Sequence, residues 1–236
     1  DVYKRQVSRN ENGYPIGYFF GYKAIGVFQT QEEIDSYISP ATGKPIQPNA
    51  APGDTKFEDL NGDGVISDDN EDRTMIGKPN PDWMVGLTVA ADWNGFDLSA
   101  FFQGSFGADV FDALRRYELA AVNYTSDALE RWTGPGTSNS MPRIVLGDTP
   151  KNFRPSTLLV HDASFLRLRN LQVGYTLPAQ LTRKAYIQRL RFYASFDNLL
   201  TITGYKGMDP EIGSTMGIDK GVYPPVSYTH LTLPTI

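Results

Sequence analysis

The feature that most constrains the fold is an unbroken two-residue alternation over residues 83–106. Two arms of 11 residues, 83–93 and 96–106, flank Asn94 and Gly95, a pair typical of two-residue hairpin turns. In such a turn Trp93 pairs with the residue after Gly95, so alternate residues of both arms share a face. One face is entirely non-polar and aromatic at both ends, and the other is small and mostly polar. The non-polar face comprises Trp83, Val85, Leu87, Val89, Ala91, Trp93, Phe96, Leu98, Ala100, Phe102, Gly104 and Phe106.

The length and chemistry of this hairpin match a bilayer. A tilted strand of roughly 9 to 11 residues crosses the hydrocarbon core, and membrane barrels meet lipid through an apolar band between aromatic girdles. The mean hydropathy of −0.35 and the hydrophobic content of 40% are ordinary for a globular chain. A barrel gives the same averages, because its strands alternate. The hairpin is therefore predicted to span a membrane.

The rest of the chain predicts three further strands. They lie within 14–28, starting near Gly17, and at 163–177 and 190–197, where β-favouring residues are concentrated. The connections along the chain are in turn long, two residues, long, about 11 residues and long. Bacterial outer-membrane barrels alternate short periplasmic turns with long extracellular loops in this way. Because single-chain bacterial barrels have an even number of strands, and at least about eight, five predicted strands indicate part of a larger barrel.

Two of the connections, 29–82 and 107–162, are longer than most loops. The second contains a predicted short helix at 126–132, with Ser126 or Asp127 as its cap. Loops of this length usually serve a function, so the binding surface is expected on their side of the barrel.

Both ends of the chain differ from the rest. Residues 1–6 and 226–236 resemble translated sequencing-adapter remnants, and we expect both to be assembly artefacts. The alternative for the second end is a native strand at 226–232, because its residues alternate in character. The native region is then expected to be 7–225.

An acidic segment within the first long connection has the spacing of a calcium loop. Asp59, Asn61 and Asp63 supply side-chain oxygens at positions 1, 3 and 5, with Gly64 at the sharp bend and the Val65 carbonyl at position 7. Calcium is a hard cation that takes about 6 to 8 oxygen ligands. The pattern predicts a structural Ca²⁺ site. The alternative is a metal-free cluster of Asn, Asp and Gly turns.

The residue that closes this site is left open by the spacing. Position 12 is Asn70, where the pattern expects a bidentate glutamate. Asp69, Glu71 and Asp72 are near enough to replace it if the loop is reshaped, and the spacing alone points nearest to Asp69. The candidate metal ligands are Asp59, Asn61, Asp63, Val65, Asp69 and Asp72.

These motifs together resemble one family, the SusC/RagA-type TonB-dependent outer-membrane transporters. The resemblance spans essentially all of residues 7–225, and many motifs in one order make it specific. The matching segments are 13–22, 53–64, 76–83, 95–104, 130–133, 164–171, 174–178, 197–199 and 204–211.

The resemblance implies an all-β protein of the bacterial outer membrane that imports glycan oligosaccharides or peptides. Its barrel would have 22 strands around an N-terminal plug, and this chain would supply about five C-terminal strands. A SusD-like surface lipoprotein would cover the extracellular mouth, and TonB would contact a segment before the plug. The plug and that segment are expected upstream of residue 1, and the foreign tail is expected to replace the final strand. In this family Asp72 would close the acidic loop.

Several polar residues of the predicted strands have two interpretations. Arg167 and Arg169 alternate with leucines and are expected to face the lumen, where they pair with plug carboxylates or contact substrate. Asp92 and Asp97 fall opposite each other near the hairpin turn, an unfavourable pair unless water or a basic plug residue intervenes. Of these two, solvation at the periplasmic mouth is the expected one.

Three aromatic residues of the second long loop also have two interpretations. Trp132, Tyr117 and Tyr124 could stack on sugars or touch the lipoprotein, and packing within the loop is the alternative.

Other classes of function find less support. His161 is the only histidine outside the tail, and no nucleophile elbow, phosphate loop or histidine cluster accompanies it, so we expect no enzyme activity. A net charge of −5 without a basic cluster disfavours nucleic acid, and the absence of cysteine excludes disulfides and thiolate metal sites. The alternative function is a secreted, soluble β-sandwich module that contains calcium and binds carbohydrate.

Overall fold

A computed structural model of the chain describes residues 6–68, 71–114, 123–211, 216–221 and 223–232. The chain forms two compact units, which we call the loop unit and the sheet unit. The loop unit comprises Asp1–Asn80, Asp109–His161 and Ser214–Lys220, and the sheet unit comprises Pro81–Ala108, Asp162–Gly213 and Gly221–Ile236.

The described secondary structure is mostly β-strand. Two short α-helices, α1 (Gln31–Ser36) and α2 (Ala179–Thr182), and 3₁₀ turns at Ser126–Glu130, Thr157–Leu159 and Arg183–Ala185 complete it. Among the described residues, no helix is both long and apolar enough to cross a membrane. The strands are β1 (Ser8–Arg9), β2 (Tyr18–Tyr22), β3 (Ala24–Val27), β4 (Thr55–Phe57), β5 (Arg73–Gly77), β6 (Trp83–Trp93), β7 (Phe96–Phe106), β8 (Asp109–Asp112), β9 (Val160–Asp162), β10 (Phe165–Thr176), β11 (Arg191–Thr203), β12 (Ile218–Asp219) and β13 (Tyr228–Thr232).

The sheet unit is built on one five-stranded antiparallel sheet in the order β13-β11-β10-β7-β6. The predicted hairpin is confirmed in its bounds and in its register, with Trp93 opposite Phe96. Asn94 and Gly95 have φ of 48° and 88°, the left-handed values that a tight hairpin turn needs. A Cβ on Gly95 would also lie 2.8 Å from the Thr176 carbonyl oxygen of the neighbouring strand, so glycine is required there.

One face of this sheet is apolar across four strands. Residues paired in an antiparallel ladder share a face, so the register extends the hairpin's apolar face onto β10 and β11. Trp83 is 73% exposed and Val89 is 44% exposed, which means that no described residue covers them as a second layer would. A β-sandwich would bury this face, so the alternative of a soluble sandwich module loses its main support. The face continues through Leu166, Leu168, Leu171, Val173, Tyr175, Phe192, Ala194, Phe196, Leu200 and Ile202.

The opposite face is polar because a bulge in β10 keeps the alternation in phase. The register with β7 shifts between Leu168 and Asn170, so Arg169 is an extra residue on β10 relative to β7. On the other side, two residues of β11, Asn198 and Leu199, lie opposite Arg169. Across the bulge, Leu168 and Leu171 both remain on the apolar face, while Asn170 pairs with Asp197 on the polar face. A regular strand would have placed one of these side chains on the wrong face.

The bounds of two predicted strands differ from those observed. The strand predicted at 163–177 is β10, and it begins two residues later and ends one earlier. The strand predicted at 190–197 is β11, which continues to Thr203 and has 13 residues. Asn198, with φ of 52°, interrupts the sequence pattern where the bulge lies, which explains why the alternation ends early in the sequence.

The strand predicted within 14–28 was wrong in both form and place. The segment forms two strands, and neither joins the five-stranded sheet. β2 pairs with β1 and β5 in the loop unit, and all five of its residues are buried. Phe19 packs with Phe111 and Leu159 in the core of that unit. A strand that is buried on both faces shows no alternation of polar and apolar residues. The aromatic run of β2 therefore could not indicate whether the strand belongs to the loop unit or to the five-stranded sheet.

The short helix predicted at 126–132 was also wrong in its details. The segment is a 3₁₀ turn at Ser126–Glu130, and Thr125 occupies the cap position without a side-chain hydrogen bond. Neither Ser126 nor Asp127 is the cap, because both lie inside the turn.

Within the tail that we expect to be foreign, Tyr228–Thr232 forms β13 and pairs with β11 from Tyr193 to Asp197. An open sheet edge accepts hydrogen bonds from any extended segment of suitable alternation. The pairing of β13 therefore does not test whether the tail is native. The foreign origin of 1–6 and 226–236 stays a prediction.

The two faces of β6 give a first testable prediction. Leu87→Arg places a charge on the apolar face near the middle of the strand, and we expect it to lower the free energy of unfolding of the complete membrane protein by about 2 to 4 kcal/mol. Thr88→Arg, on the polar face, is the matched control and should change it by less than about 1 kcal/mol. Equilibrium urea unfolding in lipid vesicles measures both, and equal effects would contradict the assignment of the faces.

Candidate functional site

The acidic loop is wound tightly by its own side chains. The two carboxylate oxygens of Asp59 accept hydrogen bonds from the backbone N–H groups of Gly62 and Gly64, each at 2.8 Å. Asp63 accepts one from the Val65 N–H at 2.8 Å, and the Asn61 amide donates to Asp63 at 2.9 Å. These bonds turn the oxygen-bearing positions 1, 3 and 5 around one short segment.

Asp72 closes the acidic loop, because its carboxylate accepts hydrogen bonds from two separate points of the loop. Its carboxylate accepts from the Leu60 N–H at 3.3 Å and from the Ser67 N–H at 2.9 Å, and it is fully buried. A buried carboxylate at this place needs such donors, because its charge is otherwise unsolvated. Glu71 accepts a hydrogen bond from Asn61 at 3.1 Å, so it also joins the loop.

The structure brings some of the predicted calcium ligands together. Asp59, Asn61, Asp63 and Asp72 lie in one hydrogen-bonded loop, whereas Asp69 and Asn70 lie outside the described residues. Among the residues described, no three acidic, histidine or cysteine side chains converge as a metal site. The oxygen chemistry of the loop suits calcium, and the ligand set that includes Val65 stays a prediction.

A second cluster of charge lies on the polar face of the sheet unit, and we call it the arginine network. Arg167 is only 2% exposed, and its guanidinium donates to Asp209 at 2.6 Å, to Glu211 at 2.9 Å and to the Thr201 hydroxyl at 2.9 Å. Arg169 donates to Glu211 at 2.5 Å and to the Gln103 side chain at 2.7 Å. The network therefore ties the segment after β11 onto β7, β10 and β11.

These arginines have carboxylate partners within the chain. Asp209 and Glu211 both form ion pairs with Arg167. Arg167 is consequently too buried to contact a substrate in this arrangement. Arg169, which is 25% exposed, shares Glu211 and keeps part of its surface on the polar face. Pairing with plug carboxylates stays a prediction.

The predicted clash between Asp92 and Asp97 is relieved by a third residue. The two aspartates do pair across the hairpin, as expected. Arg191 on β11 forms a bidentate ion pair with Asp97, at 3.0 Å from Nε and 2.5 Å from Nη2. Gly174 lies between them on β10, and a Cβ there would approach both partners within 2.7 Å. Solvation alone was therefore the wrong explanation, because an ion pair compensates Asp97.

The sequence analysis missed a buried junction within the loop unit. Asp54 accepts two hydrogen bonds from Arg143, at 2.6 and 3.1 Å, and a third from the Asn152 amide at 3.0 Å. Asn152 also accepts from the Thr55 N–H at 2.9 Å. This junction fastens the first long connection to the second. Its partners are separated by 89 to 98 residues, so no local spacing could have indicated it.

The structure describes two of the three aromatic residues of the second long connection, Trp132 and Tyr124. The Trp132 indole N–H donates to the Gln29 side chain at 3.1 Å, and its ring is half-buried, which supports packing within the loops. Tyr124 is exposed, and Tyr117 lies outside the described residues.

Cations also stabilise the aromatic core of the loop unit. The Arg73 guanidinium lies 4.7 Å from the centre of the Phe20 ring, and the Arg154 guanidinium lies 4.6 Å from the centre of the Tyr22 ring. Burial raises the pKa of Tyr22 and lowers the pKa of Arg73 from their ordinary values.

We compared the chain with known proteins. It is 33% identical to the TonB-dependent receptor P3 of Formosa agariphila over 234 residues, an alignment that covers 94% of this chain and 22% of the relative. It is 29% identical to the TonB-dependent receptor SusC of Bacteroides thetaiotaomicron over 221 residues, which covers 93% of this chain and 20% of SusC. No protein-family model matches the chain.

The fold agrees with these alignments. The solved structure of the RagAB peptide transporter matches 94% of this chain and 23% of the matched chain, with a TM-score of 0.69 and 27% identity. The chain belongs to the SusC/RagA-type TonB-dependent receptors. Proteins of this type are outer-membrane β-barrels, so β6, β7, β10 and β11 of the sheet form a segment of such a barrel.

The family membership confirms the resemblance predicted from the motifs, including the location in the outer membrane. This SusC/RagA-type chain spans about a fifth of the length of the relatives that it matches. Those relatives are receptors and transporters, which fits the expectation that the chain is not an enzyme.

The arginine network gives a second prediction. Arg167→Met leaves Asp209 buried without its cation, and we expect the free energy of unfolding of the complete receptor to fall by about 3 to 5 kcal/mol. Adding Asp209→Leu removes the stranded charge and should restore part of that loss.

The control for this prediction is Lys23→Met, because Lys23 forms a half-exposed ion pair with Glu58. Such pairs contribute about 0 to 1 kcal/mol, so this variant should unfold almost as the wild type does. Equilibrium urea unfolding measures all three variants. Equal stability of the Arg167 and Lys23 variants would show that the network carries little energy.

Proposed function

We propose that this chain forms part of the wall and the extracellular loops of a TonB-dependent importer of nutrients. The observation that carries the proposal is the sheet of β6, β7, β10 and β11, which has exposed apolar side chains on one face and hydrogen-bonded charges on the other. Such a wall separates lipid from a water-filled or protein-filled lumen. The similarity to TonB-dependent receptors over more than nine-tenths of the chain supports the same function.

We propose glycan oligosaccharides or peptides as the imported nutrients. RagAB, which the chain resembles in fold, is described as a peptide transporter, and the motif resemblance supports glycans as the second class. The proposed partners are a SusD-like lipoprotein at the extracellular mouth and TonB on the periplasmic side. The buried junction around Asp54 supports this arrangement, since loops that are already ordered lose less entropy when a partner docks on them.

Deleting the receptor gene in its native host tests this function. We expect the strain to lose growth on at least one member of a panel of plant and algal oligosaccharides and mixed peptides, and a plasmid copy should restore it. Inactivating TonB should give the same loss, because import would lack its energy source. Growth on glucose and free amino acids is the control. Full growth of the deletion strain on every member of the panel would contradict the proposal.

Extraction from membranes distinguishes the alternative of a secreted binding module. The complete protein should stay with outer membranes through alkaline carbonate washing and be released only by detergent, because its apolar face contacts lipid. Release without detergent would favour the soluble module.

We also propose that the acidic loop binds calcium as a structural ion. The five matching positions and the winding of the loop around Asp59, Asn61 and Asp63 support this. When bound, the ion would neutralise the clustered carboxylates and hold the loop between β4 and β5 in one conformation. Asp72 would close the site from its buried position, or Asp69 would do so if the segment is reshaped.

Calcium binding is measured by titrating the decalcified complete receptor with Ca²⁺ and counting bound ions. Asp59→Ala and Asp63→Ala should each reduce the stoichiometry by one, because each removes a carboxylate ligand. Asp35→Ala, at an exposed position of α1, is the control and should leave it unchanged. Unchanged stoichiometry in both loop variants would eliminate the site.

A further inference from the structure

The short connection between β10 and β11, residues 177–190, forms a compact platform at the turn end of the sheet. Pairing of the two strands ends at Thr176 and Arg191, and the Leu177 N–H donates to the Leu190 carbonyl at 2.9 Å beyond it. Between these points the chain makes α2 and a 3₁₀ turn. The Thr176 N–H donates to the Gly95 carbonyl at 2.7 Å, so the platform lies beside the hairpin turn.

The platform is basic. Residues 177–190 contain Arg183, Lys184 and Arg189 and no acidic residue, and all three cations are exposed. None of them forms an ion pair with a described carboxylate, whereas the next cation, Arg191, is engaged by Asp97. Arg189 also interacts electrostatically with Asp97, and Arg183 and Lys184 add two exposed cations. Exposed cations grouped in this way attract anions at a surface.

The platform also exposes apolar groups. Leu181 is 55% exposed and Tyr186 is 98% exposed. Tyr186 has φ of 60°, a conformation that few residues other than glycine adopt. Tyrosine and leucine beside arginine and lysine are the composition of segments that lie at a membrane surface.

The platform continues the apolar face where that face is most aromatic. Phe96 and Tyr175 have ring centres 4.4 Å apart, and Phe192 pairs with Tyr175 in the ladder. Trp93, 76% exposed, lies at the same end of β6. Aromatic residues in such a belt mark the level of lipid headgroups. The three cations therefore follow directly after the part of the sheet that reaches the membrane interface.

We propose that residues 177–190 form a docking surface for anionic phospholipid headgroups, with Arg183, Lys184 and Arg189 binding their phosphates and Leu181 and Tyr186 contacting the acyl boundary. Charge complementarity identifies the ligand, since the platform carries only positive charge. Continuity with the lipid-facing sheet identifies the source as the surrounding bilayer. This inference depends on the outer-membrane location and not on the imported nutrient.

Electron paramagnetic resonance of spin-labelled lipid tests the proposal. The complete receptor is placed in phosphatidylcholine vesicles that contain a trace of spin-labelled phosphatidylglycerol or spin-labelled phosphatidylcholine, and the motionally restricted fraction of each is measured. The wild type should restrict phosphatidylglycerol more. In the triple variant Arg183→Gln, Lys184→Gln, Arg189→Gln, this preference should fall by about twofold or more, because each basic residue attracts anionic lipid. About 1 M sodium chloride, where the Debye length is roughly 3 Å, should have the same effect on the wild type.

Two control variants make the result specific. Lys44→Gln, Lys206→Gln, Lys220→Gln removes the same charge from exposed lysines outside the platform and should keep the preference. Arg183→Lys, Arg189→Lys retains the charge and should keep it as well. The shift of the folded barrel on an unheated gel confirms that each variant has folded.

Three outcomes would overturn the proposal. If the wild type restricted both lipids equally, the platform would have no preference for anionic lipid. A protein would then be the remaining candidate for its occupant. If the two triple variants lost the preference equally, the preference for phosphatidylglycerol would come from the net charge of the protein and not from the platform. If neither lipid were restricted at all, the sheet itself would not contact the bilayer, and the membrane assignment would fail together with the platform.

Discussion

The structure of the sheet unit depends on one constraint, which is that a chain in contact with lipid must satisfy its backbone polar groups internally. The antiparallel ladder from β6 to β11 does this, and it leaves the side chains to alternate between two environments. Every side chain that the register places beside those of the hairpin's apolar face is hydrophobic or aromatic. The polar face can then carry charge without placing it in hydrocarbon, provided that each charge has a partner.

The partners on the polar face come from the chain itself. Arg167 is buried between two carboxylates that follow β11, and Arg191 neutralises the aspartate that faces another across the hairpin. The bulge at Arg169 adds one residue to β10 relative to β7 and thereby keeps hydrophobic side chains on the lipid side on both sides of the bulge. A lumen wall with its charges paired in this way presents a fixed surface to whatever fills the barrel.

The loop unit obeys a different physical rule. Its strands are short, and β2 is buried on both faces. Its two long connections are fastened by buried carboxylates rather than by a continuous sheet. Asp54 and Asp72 each satisfy several donors from segments that would otherwise be free to move. The described parts of these connections are therefore held in place despite their length.

The sequence by itself determined the hairpin, its register and its two faces, because the direction of each side chain in a strand depends only on its neighbours. It also determined the family, since the motifs in order are local features. Only the tertiary structure decided the partners of Arg167, Arg191 and Arg143, which lie 42, 94 and 89 residues away along the chain. It also decided that β2 belongs to the loops and not to the wall. Local patterns carry the preference of a strand for burial, but they carry no information about which distant segment provides it.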